Sequence, residues 1–415
     1  MTAETTETLG TTMPAVAVTG LGLVNAGGDE TAACWRSLGA PASPPAPLGR
    51  FPLPGICEPP SREVPGWEPA RYWGRRRAAY LTRSAQFALR ASEECIGALD
   101  DAERRELGVV VGTHLASVHH FGELLAEPDF MTPLKFLATL PSSTPTNVSI
   151  ACGFTGVSTA VSSPVAGLEA VTYGADLVRD GYHDAVLAGG AEELSPELYA
   201  GCARAGLTAN GRRRPRGPAS LVLGEGAAML LLERADRARA QGRQPLAVVA
   251  GWAATHAPPG TGAAAEAAGR AVGGALADAG VEPAAVDLLV TGGAGPRRHR
   301  RRVARAVAAA LAGRAVPTIA PADWWGESLG ASGATAVAVA AGALAGRVPL
   351  AGVPRPECVV VHDAGWDGSH AAIVLVAGRR LEDRSQPGAA DGAAGDGPPP
   401  PPAGRRESPS PPAER

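Results

Sequence analysis

Short runs of β-branched and aliphatic residues alternate with alanine-rich stretches along most of this chain, and one pair of runs recurs. VLAGGAE (Val186–Glu192) followed by GEGAAMLLLE (Gly224–Glu233) is echoed by VVVHDAGWDG (Val359–Gly368) followed by GSHAAIVLVAG (Gly368–Gly378). In both places an apolar strand enters a glycine turn, and a later glycine turn leads into the last apolar strand. Strands alternating with helices argue for an α/β fold. The echo argues for a duplicated α/β unit; chance similarity between Gly/Ala-rich segments is the other reading. Strands are expected near Val16–Thr19, Gly108–Gly112, Val157–Ser162, Asp184–Ala188, Ala228–Leu232, Leu246–Gly251, Leu288–Thr291, Cys358–His362 and Ala372–Val376. Helices are expected over Thr82–Leu99, Leu168–Arg179, Gly262–Ala279, Arg302–Leu311 and Ala331–Ala345.

With 415 residues, 45% of them hydrophobic and 19% charged, the chain is long enough for one large core or two fused ones. A formal charge of -3 shows no global basic excess, so no nucleic-acid partner is expected. The six cysteines, Cys34, Cys57, Cys95, Cys152, Cys202 and Cys358, show no spacing that suggests zinc or a disulfide framework. They read as thiols in a reducing compartment, and no metal is expected. No basic-then-apolar leader and no apolar run of membrane-spanning length is present, so the expected location is cytoplasmic, without membrane association. Residues 1–14 read as a flexible N-terminus, and 381–415, rich in Pro and Gly, as a disordered tail. The proline-dense Ala40–Pro69 carries Phe51, Leu53, Ile56 and Trp67, which suits an ordered surface excursion against the core.

Several segments, in order, resemble the ketosynthases of fatty acid and polyketide synthesis. VAVTGLGLVNAGG (Val16–Gly28) is similar to the family's opening strand and turn, and GVVVGT (Gly108–Thr113) to its next strand. AGLEAVTYGADLVRDGYHDAVLAGGAEELSP (Ala166–Pro196) is similar to the helix after the nucleophile and the strand that follows. GEGAAMLLLERADRARAQGR (Gly224–Arg243), GESLGASGA (Gly326–Ala334) and HDAGWDGSHAAIVLV (His362–Val376) match the central GEG segment, the GHxxGAxG helix start and the closing glycine loop. The collinear match covers roughly residues 15 to 380. It implies a thiolase-like fold, two similar α/β halves (15–243 and 244–380) forming a layered αβαβα core.

A ketosynthase needs a thiol at a helix N-terminus and two histidines that assist decarboxylation and stabilise the enolate and oxyanion. On the resemblance, Pro164 stands at the nucleophile position, and proline has neither a reactive heteroatom nor a backbone N–H. Gly292 stands at the first histidine and Glu327 at the second, where a carboxylate would repel an enolate unless protonated. The expected family lysine corresponds to Ala322, and Trp366 and Asp367 replace a Phe-Gly pair in front of the thiol. No catalytic residue is therefore assigned. Ser163 is the one displaced nucleophile to weigh, and a serine needs an oriented base.

In this respect the chain resembles the chain-length factors, or ketosynthase β subunits, of type II polyketide synthases, although Pro164 stands where those commonly carry glutamine. The resemblance implies a heterodimer with an active ketosynthase, paired through the strand near Val157–Ser163, and a wall of the acyl tunnel. It implies no cofactor of its own, the substrates riding on the phosphopantetheine of an acyl carrier protein. Ala116, His119, His120, Phe121, Phe130 and Phe136 align with the tunnel-lining segment, with Phe121 as the stopper and ordinary packing as the alternative. Arg212, Arg213 and Arg214, and Arg297 and Arg298, are candidates for carrier-protein docking or plain solvated charge. Two competing functions are a stand-alone malonyl-carrier-protein decarboxylase or acyltransferase, and a self-associating pseudoenzyme that binds an acyl group or carrier protein.

Overall fold

The computed structural model describes residues 14–379, except 57–58, 116, 128, 130–131, 209–220, 259–261, 294, 296, 349 and 351. Ten strands make one mixed sheet: β1 (Val16–Val24), β2 (Gly108–Thr113), β3 (Ser158–Ser162), β4 (Ala185–Glu192), β5 (Gly226–Arg234), β6 (Ala247–His256), β7 (Leu288–Thr291), β8 (Thr318–Ile319), β9 (Cys358–Ala364) and β10 (Ser369–Ala377). Their spatial order is β8-β7-β9-β10-β6-β1-β5-β4-β2-β3. The first five strands and the last five are therefore arranged identically, in mirror sequence about the β6–β1 seam. Pairing directions also repeat, parallel in β2–β3, β2–β4, β7–β8 and β7–β9, antiparallel toward the seam. The seam itself is short, running from Val16↔Val249 to Val18↔Ala247. These are the two similar α/β halves the sequence echo suggested.

The helices that matter to the site are α1 (Arg83–Cys95), α2 (Val118–Ala126), α3 (Pro133–Ala138), α4 (Ser143–Cys152), α5 (Ala166–Arg179), α6 (Gly262–Ala279), α7 (Arg297–Ala310) and α8 (Ser332–Leu344). Thr82 caps α1 by accepting from Ala85 N, and Ala85, Phe87, Ala88, Leu89, Ala91 and Cys95 form its buried stripe. Helix α8, SGATAVAVAAGAL, is buried along all its residues and has no polar face, which suits only an interior position. It packs on α5, and the pair touches strands of both halves, while α1 and α6 cover the outer faces. Strand β4, buried from Ala185 to Glu192, reads as a continuous apolar run because helices cover both its faces. Among the described residues no helix is long and apolar enough to cross a membrane.

The proline-dense excursion is ordered. Ala46–Pro47 pairs with Pro60–Arg62, which continues onto Leu223–Gly224. Phe51, Leu53 and Ile56 pack with Leu194, Leu198 and Tyr199, and Trp67 meets the Phe87 ring at 4.9 Å. A buried ion pair anchors its end. Glu225 accepts from Arg83 Nε at 2.9 Å and from the backbone N–H groups of Val64 and Leu194 at 3.1 and 3.3 Å. Removing one member of such a pair costs about 3–5 kcal/mol, since the other charge stays buried. The N-terminal segment 1–13, the tail 380–415 and the Arg212–Arg214 cluster lie outside the described residues.

Candidate functional site: a filled condensing centre

Three loops converge where the two halves meet. The end of β3 delivers Ser163 and Pro164 to the start of α5, Gly292 follows β7, and Glu327 precedes α8. The structure thus brings together the three positions that the sequence placed far apart. Strand β9 adds a fourth group, Asp363, which is 1% exposed.

The Pro164, Glu327 and Asp363 side chains each take up space beside a glycine of the converging loops. A Cβ on Gly292 would stand 2.5 Å from Asp363 Oδ1 and 2.7 Å from its Cγ, so the carboxyl occupies the volume of a side chain at 292. Glu327 lies against Gly293 in the same manner, and its Oε1 accepts from Leu329 N at 3.2 Å and Ser332 Oγ at 2.8 Å. Pro164 fills the helix entrance, where a Cβ on Gly365 would come within 2.7 Å of Pro164 Cβ. Over the next loop the Trp366 indole covers Gly295, whose φ of +59° is left-handed; an added Cβ there would lie 2.5 Å from the indole. A small void beside Gly292, bounded by Asn25, Trp325 and Thr335 among others, holds about 10 Å³, room for a single water.

Electrostatics points the same way. Burial, then the charge of Glu327, holds the Asp363 carboxyl well above the usual carboxylate range, against the opposing backbone N–H groups of Ala364 and Gly293. A neutral acid beside Glu327 lets two carboxyls share a dry site. The three family positions themselves supply neither a thiol nor an imidazole.

The displaced-serine reading fares no better in geometry. The Ser163 hydroxyl donates to Glu169 and accepts from Val165 N at 3.2 Å. His114 is nearby but bonds to the Ser163 backbone rather than to its hydroxyl, and burial lowers its basicity. The oriented Ser-His pair of a serine nucleophile is therefore not assembled. Thiols do not substitute, since burial pushes Cys152 up to about 12 and Cys202 to about 11, and Cys34 and Cys95 also upward. Among the described residues no group of three or more His, Cys, Asp or Glu is arranged to hold a metal ion.

The tunnel candidates sit elsewhere, on the outer side of the first half. His119, His120 and Phe121 belong to α2 and Phe136 to α3. His119 Nδ1 and Glu197 are 3.3 Å apart, and His120 Nδ1 stands 3.4 Å from Glu123 Oε2. Phe121 and Phe136 are 41% and 45% exposed, so within this one chain neither closes a tunnel. Leu125, Leu134, Leu137 and Ile150 are exposed alongside them. Helix α2 packs on α3, α3 on α4 and α4 on β3, which makes this one apolar flank of the sheet edge. Ala116 and Phe130 lie outside the described residues, and Arg297 and Arg298 open α7 without a described side chain.

Asp363 and Glu169 lie inside segments matched to the family and His114 one residue beyond another, but none stands at a catalytic position of the resemblance, so all three went unmarked in the sequence. The signal that would have found Asp363 is the pairing of a lost side chain at 292 with a carboxyl one strand away.

The layered α/β arrangement of two similar halves is a thiolase-like ketosynthase fold. The β-ketoacyl synthase N-terminal domain model matches residues 13–238, and the chain belongs to the β-ketoacyl synthase family. It is 28% identical to a granaticin polyketide putative beta-ketoacyl synthase 1 of Streptomyces violaceoruber, over 87% of this chain and 97% of that one. It is 30% identical to the tetracenomycin polyketide synthase ketoacyl synthase beta subunit of Streptomyces glaucescens, over 78% and 84% respectively. Among solved structures, the ishigamide ketosynthase/chain length factor superposes with a TM-score of 0.78 at 24% identity, over 88% of this chain and 99% of that chain.

Proposed function

We propose that this protein is a chain-length factor of type II polyketide synthesis: a ketosynthase-like subunit without condensing chemistry that pairs with an active ketosynthase and shapes the acyl tunnel. The observation that carries this is the filled centre, in which Pro164, Gly292 and Glu327 replace thiol and imidazoles and Asp363 takes the vacated space. A fold kept intact around a centre that lacks the family's thiol and imidazoles is a fold kept for its surface.

The surface supports the same reading. Strand β3 ends the sheet with an unpaired edge among the described residues, a template for a strand of another chain. Beside it lie the exposed apolar side chains of α2 to α4, a contiguous face of the kind that marks a protein interface. In the pair, the partner supplies cysteine and histidines, a carrier protein delivers the extender unit, and this subunit closes the far wall with Phe121 as the stopper. Replacing Phe121 with alanine then lengthens the products of the reconstituted pair; unchanged lengths remove that assignment.

Co-expression with a ketosynthase that retains Cys and both His tests the whole reading. A one-to-one complex that condenses acyl groups, with this chain alone inert toward malonyl carrier protein, is the expected outcome. Turnover by the isolated chain would establish the stand-alone enzyme instead, and a homodimer indifferent to the ketosynthase would establish the self-associating pseudoenzyme.

A further inference from the structure

On the far side of the second half, a groove runs between α7 and strands β7 and β8, remote from the apolar flank of the first half. Its volume is about 260 Å³, just below the range of about 300–1,000 Å³ that takes drug-sized ligands. The walls are aliphatic, built by Leu289 from β7 and by Val303, Val307 and Leu311 on one face of α7 and its end. These four are no more than 8% exposed. Besides the buried His362, which stacks on His370, the ionisable side chains in the lining are two arginines, with no carboxylate among them.

The two arginines are not equivalent. Arg314 Nη1 donates to Pro283 O at 2.8 Å and Val286 O at 3.1 Å, which commits it to bracing the turn before β7. Among the described residues the one ion-pair contact of Arg300 is a 3.7 Å approach to Asp323, and both side chains are substantially exposed. Its guanidinium is therefore available at the mouth, and a planar fork of donors matches a carboxylate. At roughly 30 Å³ per small heavy-atom group, the liquid volume of one water, the groove takes a body of about eight to ten carbons.

We propose that this groove is a binding site for a medium-chain monocarboxylate, its alkyl body between α7 and β7 and its carboxylate on Arg300. The site is independent of the chain-length-factor reading and stands whether or not the protein pairs with a ketosynthase. The groove reaches Thr291 and Gly293, the residues on either side of the filled histidine position, so an occupant touches the back wall of the vestigial centre.

The test is calorimetric titration of the full chain, in complex if it is isolated that way, with sodium octanoate, octan-1-ol and octylamine as probes. Octanoate is expected to bind, octanol more weakly and octylamine weakest. Ala308→Phe, which fills the groove from a half-buried helix position, lowers octanoate affinity by about tenfold or more. Arg300→Gln weakens octanoate by about three- to fivefold, the scale of an exposed ion pair, and leaves octanol unchanged. If Ala308→Phe does not fold, Ala304→Trp closes the mouth from an exposed position instead. No octanoate binding, binding indifferent to the groove-filling variant, or equal affinity for octanol and octylamine overturns the proposal.

Discussion

The two halves of this molecule share a strand order and differ in where they have been altered. The first half ends in β3, a five-residue edge flanked by exposed Phe121, Phe136, Leu134 and Ile150. The second ends at the equivalent place in β8, a two-residue edge, with the arginine-rich start of α7 nearby. Short, charge-flanked edges resist pairing, and longer edges with apolar neighbours invite it. Inside the fold the asymmetry is reversed. Of the groups that take up space beside the loop glycines, the first half gives Pro164, whereas the second gives Glu327, Asp363 and Trp366. One half is distinctive at its surface, the other in its interior, although both share one strand order.

The comparison breaks first if the apolar flank is not an interface. Leu134→Asp with Ile150→Asp places two charges on that face, at positions 69% and 75% exposed, and costs little in folding. Loss of interface anchors of this kind amounts to about 2 kcal/mol or more, so the complex with a ketosynthase weakens by at least about 30-fold in analytical ultracentrifugation. An undiminished complex would place the interface elsewhere.

An imidazole restored at 292 tests the interior. Gly292→His forces a side chain into the volume of the Asp363 carboxyl, and overpacking of a filled core costs about 1–3 kcal/mol. Thermal unfolding should show the loss, and Asp363→Ser in the same chain should recover most of it, since neighbouring sites couple. Additive losses would mean the two residues do not share the space.

Protons provide a smaller and more diffuse effect. Burial pushes Glu192 up to about 8 and Glu193 up to about 7, and Asp363 is also raised. In the unfolded chain a Glu releases its proton near about pH 4.3. Between that value and the folded one the native state holds a proton that the unfolded state has lost, so stability falls as pH rises through this window. Denaturant titrations from about pH 5 to 8 should show that decline, and Glu192→Gln should flatten it. A curve that rises with pH, or a slope unchanged in the variant, would contradict the buried neutral acid.

The smallest effect is reserved for the blunt edge. Thr318→Lys on β8 falls on an exposed residue whose hydroxyl bonds only to Val316 O, and pairing with a ketosynthase should change by less than about twofold. A large loss in the same sedimentation assay would make β8 an interface too and erase the contrast between edges.

Much of the frame was legible beforehand because long elements leave long signals. Helix α6 spans Gly262–Ala279, the limits read from its alanine-rich run, and β7 spans Leu288–Thr291 as expected. Other strands extend beyond their apolar cores, as β4 does to Glu192, since ladder pairing continues past the hydrophobic run. Missed were α2, α3 and α4, from six to ten residues long, and β8, whose two residues carry no periodicity. Helix α7 begins at Arg297 rather than Arg302, because a run of arginines has helical propensity but no apolar stripe to announce it.

What the amino-acid order determined by itself is which side chains stand at the three positions that the family resemblance singles out. Proline at 164, glycine at 292 and glutamate at 327 supply neither a thiol nor an imidazole in any fold, and the AGLEA run after Pro164 is the segment that sets its register in the resemblance. What only the tertiary structure decided is what took their place. Asp363 lies 71 positions beyond Gly292 in the chain, and nothing in either segment says that one carboxyl will occupy the other's missing side chain. That contact exists because β7 and β9 are parallel neighbours with Thr291 beside His362, a register set by strand pairing across the whole half. Close packing then leaves no vacancy for the lost group, so the nearest side chain that fits completes the core.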